Sequence, residues 1–292
     1  MHIGITGASG FLGRQMIQAA NTFGYTVTGF SRAPDRPILG CQVVRHFGPA
    51  MDVEGIDALF HLAGESIFGL WTPKKRHRIL ASRIEGTGWV TEAIRRANRK
   101  PTVLVSSSGI GIYGNRNDEE LTEESSTVMN GFLARVASVW EAAGAKVEGV
   151  RFVPVRLAMV LGRGGGVMPL VGPLFRCGLG GKLSTGRQWM PWIHVSDVVG
   201  LFFHALGNAS IQGPLNAVAP NAVRNEEFTR ILSQIVKRPT LFHAPSFLIR
   251  TFLREESALL LDSQRVIPEK ALSTQYSFHF PELPAAFSDI LP

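Results

Sequence analysis

Cysteine is scarce in this chain. Cys41 and Cys177 are the only two among 292 residues. They are too few for a disulfide framework and lack metal-ligand spacing, which excludes a stapled secreted scaffold and a zinc module. Long apolar runs are also missing, and no stretch reaches the roughly 20 residues of a membrane-spanning helix. The opening Met1-His2-Ile3-Gly4 runs directly into a strand-like segment, without the basic and apolar regions of a secretory signal. The expectation is a protein of a reducing, cytoplasmic compartment. There are no internal repeats, heptads or low-complexity tracts. Acidic residues are outnumbered, 23 Asp and Glu against 30 Lys and Arg, for a net charge of +7. Such a balance fits an anionic ligand or a nucleic acid. The densest basic patch, Pro73-Lys74-Lys75-Arg76-His77-Arg78, has no interleaved aromatics and reads as the solvated start of a helix. Nucleic acid is therefore not the expected partner.

What the chain does have begins at its third residue. Ile3-Gly4-Ile5-Thr6 is a short apolar run, and it leads into Gly7-Ala8-Ser9-Gly10-Phe11-Leu12-Gly13. The pattern reads as a buried strand turning sharply into a helix. Gly7 permits the tight turn, Gly10 lets phosphates approach the backbone, and Gly13 lets the helix pack close to the strand. The new helix then presents free N–H groups and a positive dipole end to an anion. Met16, Ile17, Ala20 and Phe23 fall on one face of the expected helix, and Gly24 is expected to end it.

The next strand, Thr26–Phe30, delivers Ser31 and Arg32 about 20 residues after the loop, where an acid normally holds the ribose 2′-hydroxyl of NAD. A hydroxyl followed by a guanidinium suits a 2′-phosphate instead, so the expected cofactor is NADP(H). Asp57–Gly64 reads as another buried strand opening into a small-residue turn, Leu62-Ala63-Gly64, beside the cofactor crevice. His61 is expected to be a packed strand-end residue. A helix follows over 78–98. Val103–Val105 ends in Ser106-Ser107-Ser108-Gly109-Ile110-Gly111-Ile112-Tyr113-Gly114, which puts hydroxyls at the carboxyl end of a strand, near the expected chemistry.

These segments resemble the extended short-chain dehydrogenase/reductase superfamily, in its epimerase/dehydratase branch. Ser82–Thr87, Trp140-Glu141, Gly178–Gly181, Gly186–Trp189, Trp192–Asp197, Ala219–Asn221 and Arg238-Pro239 extend the resemblance to a narrower group. This is the atypical "epimerase family protein" subgroup, whose C-terminal segment is a domain of unknown function. The resemblance covers essentially the whole chain. It implies an α/β fold, a Rossmann doubly wound parallel sheet with a smaller mixed C-terminal lobe. It assigns Gly7, Ser9, Gly10, Phe11, Leu12 and Gly13 to the phosphate loop, Ser31 and Arg32 to the NADP-selective pair, and Leu62, Ala63 and Gly64 to the adenosine-ribose turn. Arg83 stands where relatives carry an asparagine that faces the cofactor. It either reaches a phosphate or caps helices. Ser108 matches the catalytic serine, and Met159 lies in a turn that flanks the nicotinamide.

The chain departs from the superfamily at the proton relay. The usual Tyr-x-x-x-Lys pairs a phenol with a cation that lowers its pKa. Anchored on Glu141, the tyrosine position is Leu133 and the lysine position is Ala137. Both are apolar, and no tyrosine lies on that helix. Arg135 cannot titrate in their place. Two readings of Tyr113 stand, a displaced proton donor or a packed turn residue. Ser108 is expected to position a ligand through its hydroxyl.

The expected organisation is a Rossmann domain over residues 1–160 and a substrate lobe over 161–292, interleaved at the boundary. In the second lobe Arg163, Arg176, Lys182 and Arg187 are either cleft residues for an acidic substrate or separate solvated charges. His194 reads as an interior histidine and Asp197 as a helix cap. The apolar helical stretch 247–261 is a candidate homodimer face. Two functions follow. One is an NADP(H)-dependent oxidoreductase or epimerase-like enzyme for a small anionic or sugar-like substrate. The other is a catalytically silent NADP(H)-binding sensor or partner-binding module.

Overall fold

The computed structural model describes residues 1–240 and 242–291. The chain divides into two compact units, each assembled from three stretches. The first holds Met1–Gly109, Arg135–Arg156 and Val199–Leu215. The second holds Ile110–Ala134, Leu157–Val198 and the chain from Asn216 onward. Ile110–Ala134 groups with the later part of the chain, and Val199–Leu215 with the N-terminal part. Aromatic packing supplies the reason for the second exchange. Phe202 and Phe203, on the helix Val195–Gly207, pack edge-on against Phe60 of the central sheet with ring centroids 5.4 and 5.3 Å away.

A central seven-stranded sheet takes most of its strands from the first unit, and its last strand crosses the boundary at Leu215. Its strands are β1 (His2–Thr6), β2 (Thr26–Ser31), β3 (Val43–His46), β4 (Ala58–His61), β5 (Val103–Gly109), β6 (Arg151–Leu157) and β7 (Leu215–Ala217), in the spatial order β7-β6-β5-β4-β1-β2-β3. The pairings of β1 with β2 and β4, of β2 with β3, and of β4 with β5 are all parallel. This is a doubly wound α/β sheet whose strand order reverses between β1 and β4. Ligands of such sheets bind outside the carboxyl ends of the strands at that switch point. Strands covered on both faces have no polar side to present, so β1 and β4 read as continuous apolar runs. Their residues are buried almost throughout. One face packs Phe30, Met51, Val53, Ile56 and Leu59 with Val90, Ala93 and Ile94.

Three helices serve the site. The first, α1 (Phe11–Thr22), follows the glycine loop directly. The second, α2, spans Pro73–Arg96, opening five residues earlier than periodicity alone indicates. Pro73 sits at its first position, and the Thr72 hydroxyl accepts from the Lys75 N–H. Both are helix-start signals. The basic run at 73–78 is thus the first turns of a helix, as expected. The third, α3, spans Phe132–Gly144.

In the second unit, strand Met159–Gly162 pairs in parallel with Trp192–His194. Met159 is therefore a strand residue paired with Trp192, not a turn residue. The run of 157–162 continues extended because that neighbour supplies hydrogen bonds. Helices Met168–Arg176, Asn225–Val236 and Leu283–Ile290 surround a core of Leu161, Trp192, Phe228, Leu232 and Phe287. The expected helix at 247–261 is broken. It comprises Ser246–Leu253, a 3-10 turn Arg254–Ser257 and Ala258–Leu261, with Arg254 at a left-handed φ of 48° that ends the first piece. Asp197 lies within the first turn of its helix and is fully buried. It is not the helix cap. Its carboxylate instead accepts from the Tyr276 hydroxyl at 3.2 Å and from the His279 and Phe280 N–H groups at 2.7 and 3.0 Å. His194 is buried, as expected, with Nε2 3.2 Å from Asp289 Oδ2.

Candidate functional site

The loop between β1 and α1 has the shape its glycines require. Gly7 adopts φ 68°, a region open to few residues with a Cβ. A Cβ there would also lie 2.9 Å from the Leu62 carbonyl carbon of the turn after β4. A Cβ on Gly13 would run into the Gly7 carbonyl oxygen and Ala8. Gly13 therefore sets how closely α1 approaches the loop. Gly10 is the N-cap and offers no side-chain acceptor to the helix, and no acidic residue occupies the first turn. The leading N–H groups of a helix have no intrahelical partner. The segment Ser9-Gly10-Phe11-Leu12-Gly13 is thus a preformed anion cradle at a helix N-terminus, which fits the pyrophosphate of a dinucleotide.

The turn Leu62-Ala63-Gly64 is held to the loop by a buried chain of polar groups. The Leu62 and Ala63 N–H groups donate to Thr6 Oγ1 at 3.1 and 3.2 Å. With both donors aimed at it, the Thr6 hydroxyl turns its proton to His61 Nδ1, 2.7 Å away. His61 Nε2 then carries the ring proton and donates to Thr87 Oγ1 on α2 at 3.0 Å. His61 is fully buried, and desolvation, aided by the field of Arg83, pushes its pKa down to about 3. It is a neutral spacer between β1, β4 and α2, the packed role expected from the sequence.

Arg83 is buried beneath Gly64, where a Cβ would stand 3.5 Å from the guanidinium carbon. Its Nη1 donates to the carbonyls of Glu65 and Ile79 at 2.9 and 3.1 Å, and its guanidinium lies 4.7 Å over the Trp140 ring. Its Nε is buried without a hydrogen-bond partner among the described residues. Desolvation pushes its pKa down to about 10, so it stays cationic near neutrality. Arg83 ties the turn after β4 to α2 and places a positive charge directly under it. At the end of β2, Ser31 Oγ accepts from the Ala33 N–H at 3.1 Å, and Arg32 is exposed.

Ser108 is the penultimate residue of β5, at 3% exposure. Its hydroxyl donates to Glu141 Oε1 on α3 at 2.7 Å. Arg156 on β6 holds the same carboxylate in a fork, with Nε to Oε1 and Nη2 to Oε2 both at 2.9 Å. The Glu141 and Arg156 side chains are 15% and 5% exposed, so this is a buried ion pair. The Trp140-Glu141 pair thus faces Arg83 through its indole and Ser108 and Arg156 through its carboxylate. The available signal was spacing: Leu133, Ala137 and Glu141 recur every four residues and share one helical face.

The expected site residues divide between the two units. Gly7 to Gly13, Ser31, Arg32, Leu62 to Gly64, Arg83 and Ser108 belong to the first, and Tyr113 and Met159 to the second. Tyr113 is fully buried in the 3-10 turn Ile110–Tyr113, and its hydroxyl donates to Asn216 Oδ1 at 2.8 Å. The phenol is enclosed, and its hydroxyl bonds an internal amide. Leu133 lies against the same turn, its Cβ 2.9 Å from where Gly111 would carry one. Among the described residues no group of His, Cys, Asp and Glu could hold a metal ion. No described helix is long and apolar enough to cross a membrane.

Residues 3–217 match the NAD dependent epimerase/dehydratase family, and residues 244–290 match a domain of unknown function, DUF1731. The chain is 35% identical to the epimerase family protein YfhF of Bacillus subtilis, covering 100% of this chain and 98% of that one. The crystal structure of human epimerase family protein SDR39U1 (isoform 2) with NADPH is similar at a TM-score of 0.92 and 34% identity, covering 100% and 99% of the two chains. A nucleoside-diphosphate sugar epimerase from Corynebacterium glutamicum is similar at a TM-score of 0.80 and 32% identity, covering 100% of this chain and 58% of that one. With a switch-point glycine cradle, a retained strand-end serine and these relatives along its whole length, the chain belongs to the NAD-dependent epimerase/dehydratase family, within the epimerase family proteins that carry the DUF1731 segment.

Proposed function

We propose that this protein binds NADP(H) and acts as an oxidoreductase or epimerase-like enzyme of the extended short-chain dehydrogenase type on a small anionic or sugar-like substrate. The observation that carries the reading is the anion cradle at the N-terminus of α1, joined to a Ser31-Arg32 pair at the end of β2 in place of an acid. Gly7 to Gly13 would receive the pyrophosphate, Ser31 and Arg32 the 2′-phosphate, and Leu62 to Gly64 the adenosine ribose. The human relative with NADPH supports the same assignment. When bound, the nicotinamide supplies the hydride chemistry, and the protein supplies position and charge. Cytoplasmic localisation and a homodimer are part of this proposal; the net charge of +7 favours an anionic ligand.

Calorimetric titration with NADPH and NADH tests the cofactor assignment. NADPH binds more tightly, and Arg32→Ala removes most of the difference. Following NADPH absorbance across carbonyl compounds and nucleotide sugars tests turnover. The vacancy at Leu133 and Ala137 favours a second reading, a cofactor-binding sensor without catalysis. It is distinguished by tight NADPH binding, no turnover across that panel, and a partner whose capture depends on NADP(H).

A further inference from the structure

The first turn of α2 is electrostatically inverted. It carries Lys74, Lys75 and Arg76 with no acid, although the N-terminus of a helix repels cations. Positive charge gathered there against the dipole is stabilised by a nearby anion. The chain provides one only in part. Glu65, directly after the adenosine-ribose turn, lies 2.8 Å from Lys75 Nζ and 3.4 Å from Arg78 Nη2. Its backbone is fixed independently of its carboxylate: the N–H donates to Ser82 Oγ at 2.9 Å, and the carbonyl accepts from Arg83. The Lys75 side chain is only 14% exposed, which holds its ammonium in place. The hydrogen bond from Lys75, aided by the fields of Lys75, Arg78 and Arg32, holds the Glu65 carboxyl below the usual range. One carboxylate therefore pairs with two cations, directly after the turn expected to receive the adenosine ribose.

We propose that Lys75 and Arg78 form a second wall of the NADP(H) 2′-phosphate site opposite Arg32, and that Glu65 is the internal anion from which the phosphate takes over these cations. The inference rests on the NADP(H) reading above and deepens it. Ser31-Arg32 alone distinguishes NADP from NAD by one guanidinium and one hydroxyl. The start of α2 adds an ammonium and a second guanidinium, each able to make a charge-assisted bond to phosphate. A dianionic phosphate outcompetes a single carboxylate for this cluster, whereas NADH leaves Glu65 in place. Glu65 thus lowers the affinity for both cofactors' shared portion little and sets the strength of the 2′-phosphate contribution. It also neutralises an inverted helix start when no ligand is bound.

The test is calorimetric titration of the full chain and its Lys75→Ala, Arg78→Ala and Glu65→Gln variants. The probes are NADPH, NADH, 2′,5′-ADP and 5′-AMP at moderate salt. Lys75→Ala and Arg78→Ala each weaken NADPH and 2′,5′-ADP by roughly fivefold to tenfold, the worth of one charge-assisted contact. They leave NADH and 5′-AMP within about twofold, which also reports an intact fold. Glu65→Gln keeps the backbone contacts and tightens NADPH and 2′,5′-ADP. Equal losses for NADPH and NADH, or no loss, overturn the second wall. Weaker NADPH binding by Glu65→Gln overturns the competing-anion role. Wild-type protein that binds NADH as tightly as NADPH defeats the underlying cofactor reading, and the second wall with it, before any variant is made.

Discussion

The Ser108 hydroxyl donates to Glu141 at 2.7 Å, and Glu141 is in turn gripped by both arms of Arg156. A serine hydroxyl has one proton and two lone pairs. With the proton held by Glu141, what remains toward a ligand is acceptor capacity, suited to an alcohol or an amide N–H more than to a bare carbonyl. The position of Glu141 gives this relationship its weight. It lies one helical turn beyond Ala137 and two beyond Leu133, on the face of α3 where the superfamily resemblance would place the Tyr-x-x-x-Lys pair. The face keeps a titratable group, but as a carboxylate bound to an arginine rather than a phenol beside a lysine.

Breaking this pair from one side is costly. Glu141→Ala leaves the Arg156 guanidinium buried and unpaired, and lowers unfolding free energy by about 3–5 kcal/mol. Ser108→Ala removes one bond to a carboxylate that keeps its arginine, and costs about 1–2 kcal/mol. Urea unfolding of the two variants measures both. A smaller loss for Glu141→Ala than for Ser108→Ala contradicts the arrangement.

Stability depends on pH through His61. Its pKa is about 3 when folded against about 6.5 in an unfolded chain. Between those values the unfolded state binds the extra proton. The contribution is therefore complete above pH 6.5 and lost as pH falls toward 3, at roughly 1.4 kcal/mol per pH unit. Unfolding at pH 7.5 and 5.0 measures it. His61→Gln flattens the difference between the two pH values, and an unchanged slope in that variant sinks the assignment.

Gly13→Ala sets a methyl against the Gly7 carbonyl and Ala8 backbone, which have nowhere to move without shifting α1. NADPH binding falls by at least about tenfold and stability by roughly 1–3 kcal/mol. Gly24→Ala, with open space around its Cβ but φ 72°, costs about 1–2 kcal/mol through backbone strain alone and leaves cofactor affinity unchanged. Titration and thermal unfolding of both variants separate the two effects.

Asp197 holds the C-terminal segment to the helix Val195–Gly207 through Tyr276, His279 and Phe280. Burial and the neighbouring carboxylate raise the Tyr276 pKa, so its proton stays on the bond. Asp197→Ala leaves two backbone donors unsatisfied and costs about 2–4 kcal/mol. Hydrogen exchange accelerates over 276–290, while β1 and β4 stay protected. Uniform acceleration across the chain shows a general loss of stability in place of release of this segment.

Much of the site was legible because its requirements are local. A glycine with positive φ, an apolar run before it, and a hydroxyl-guanidinium pair at a strand end are properties of a few consecutive residues. Periodicity placed α1 and the start of the sheet for the same reason. Asp197 was misread as a cap because its partners are some 80 residues later in the chain, where no local pattern records them. The Tyr113 hydroxyl stayed ambiguous because its partner, Asn216, is 103 residues away. Met159 reads locally as a turn residue because its strand partner, Trp192, lies outside its own segment of the chain.

The sequence by itself determined the glycine loop from Gly7 to Gly13, the hydroxyl and guanidinium at Ser31-Arg32 in place of an acid, and the apolar residues at Leu133 and Ala137. These follow from which side chains are present and which are absent. Only tertiary structure decided that Ser108 gives its proton to Glu141, that His61 is a neutral spacer, and that Glu65 stands between Lys75 and Arg78. Hydrogen-bond direction and charge pairing depend on distances of about 3 Å between residues far apart in the chain, and folding alone sets those distances.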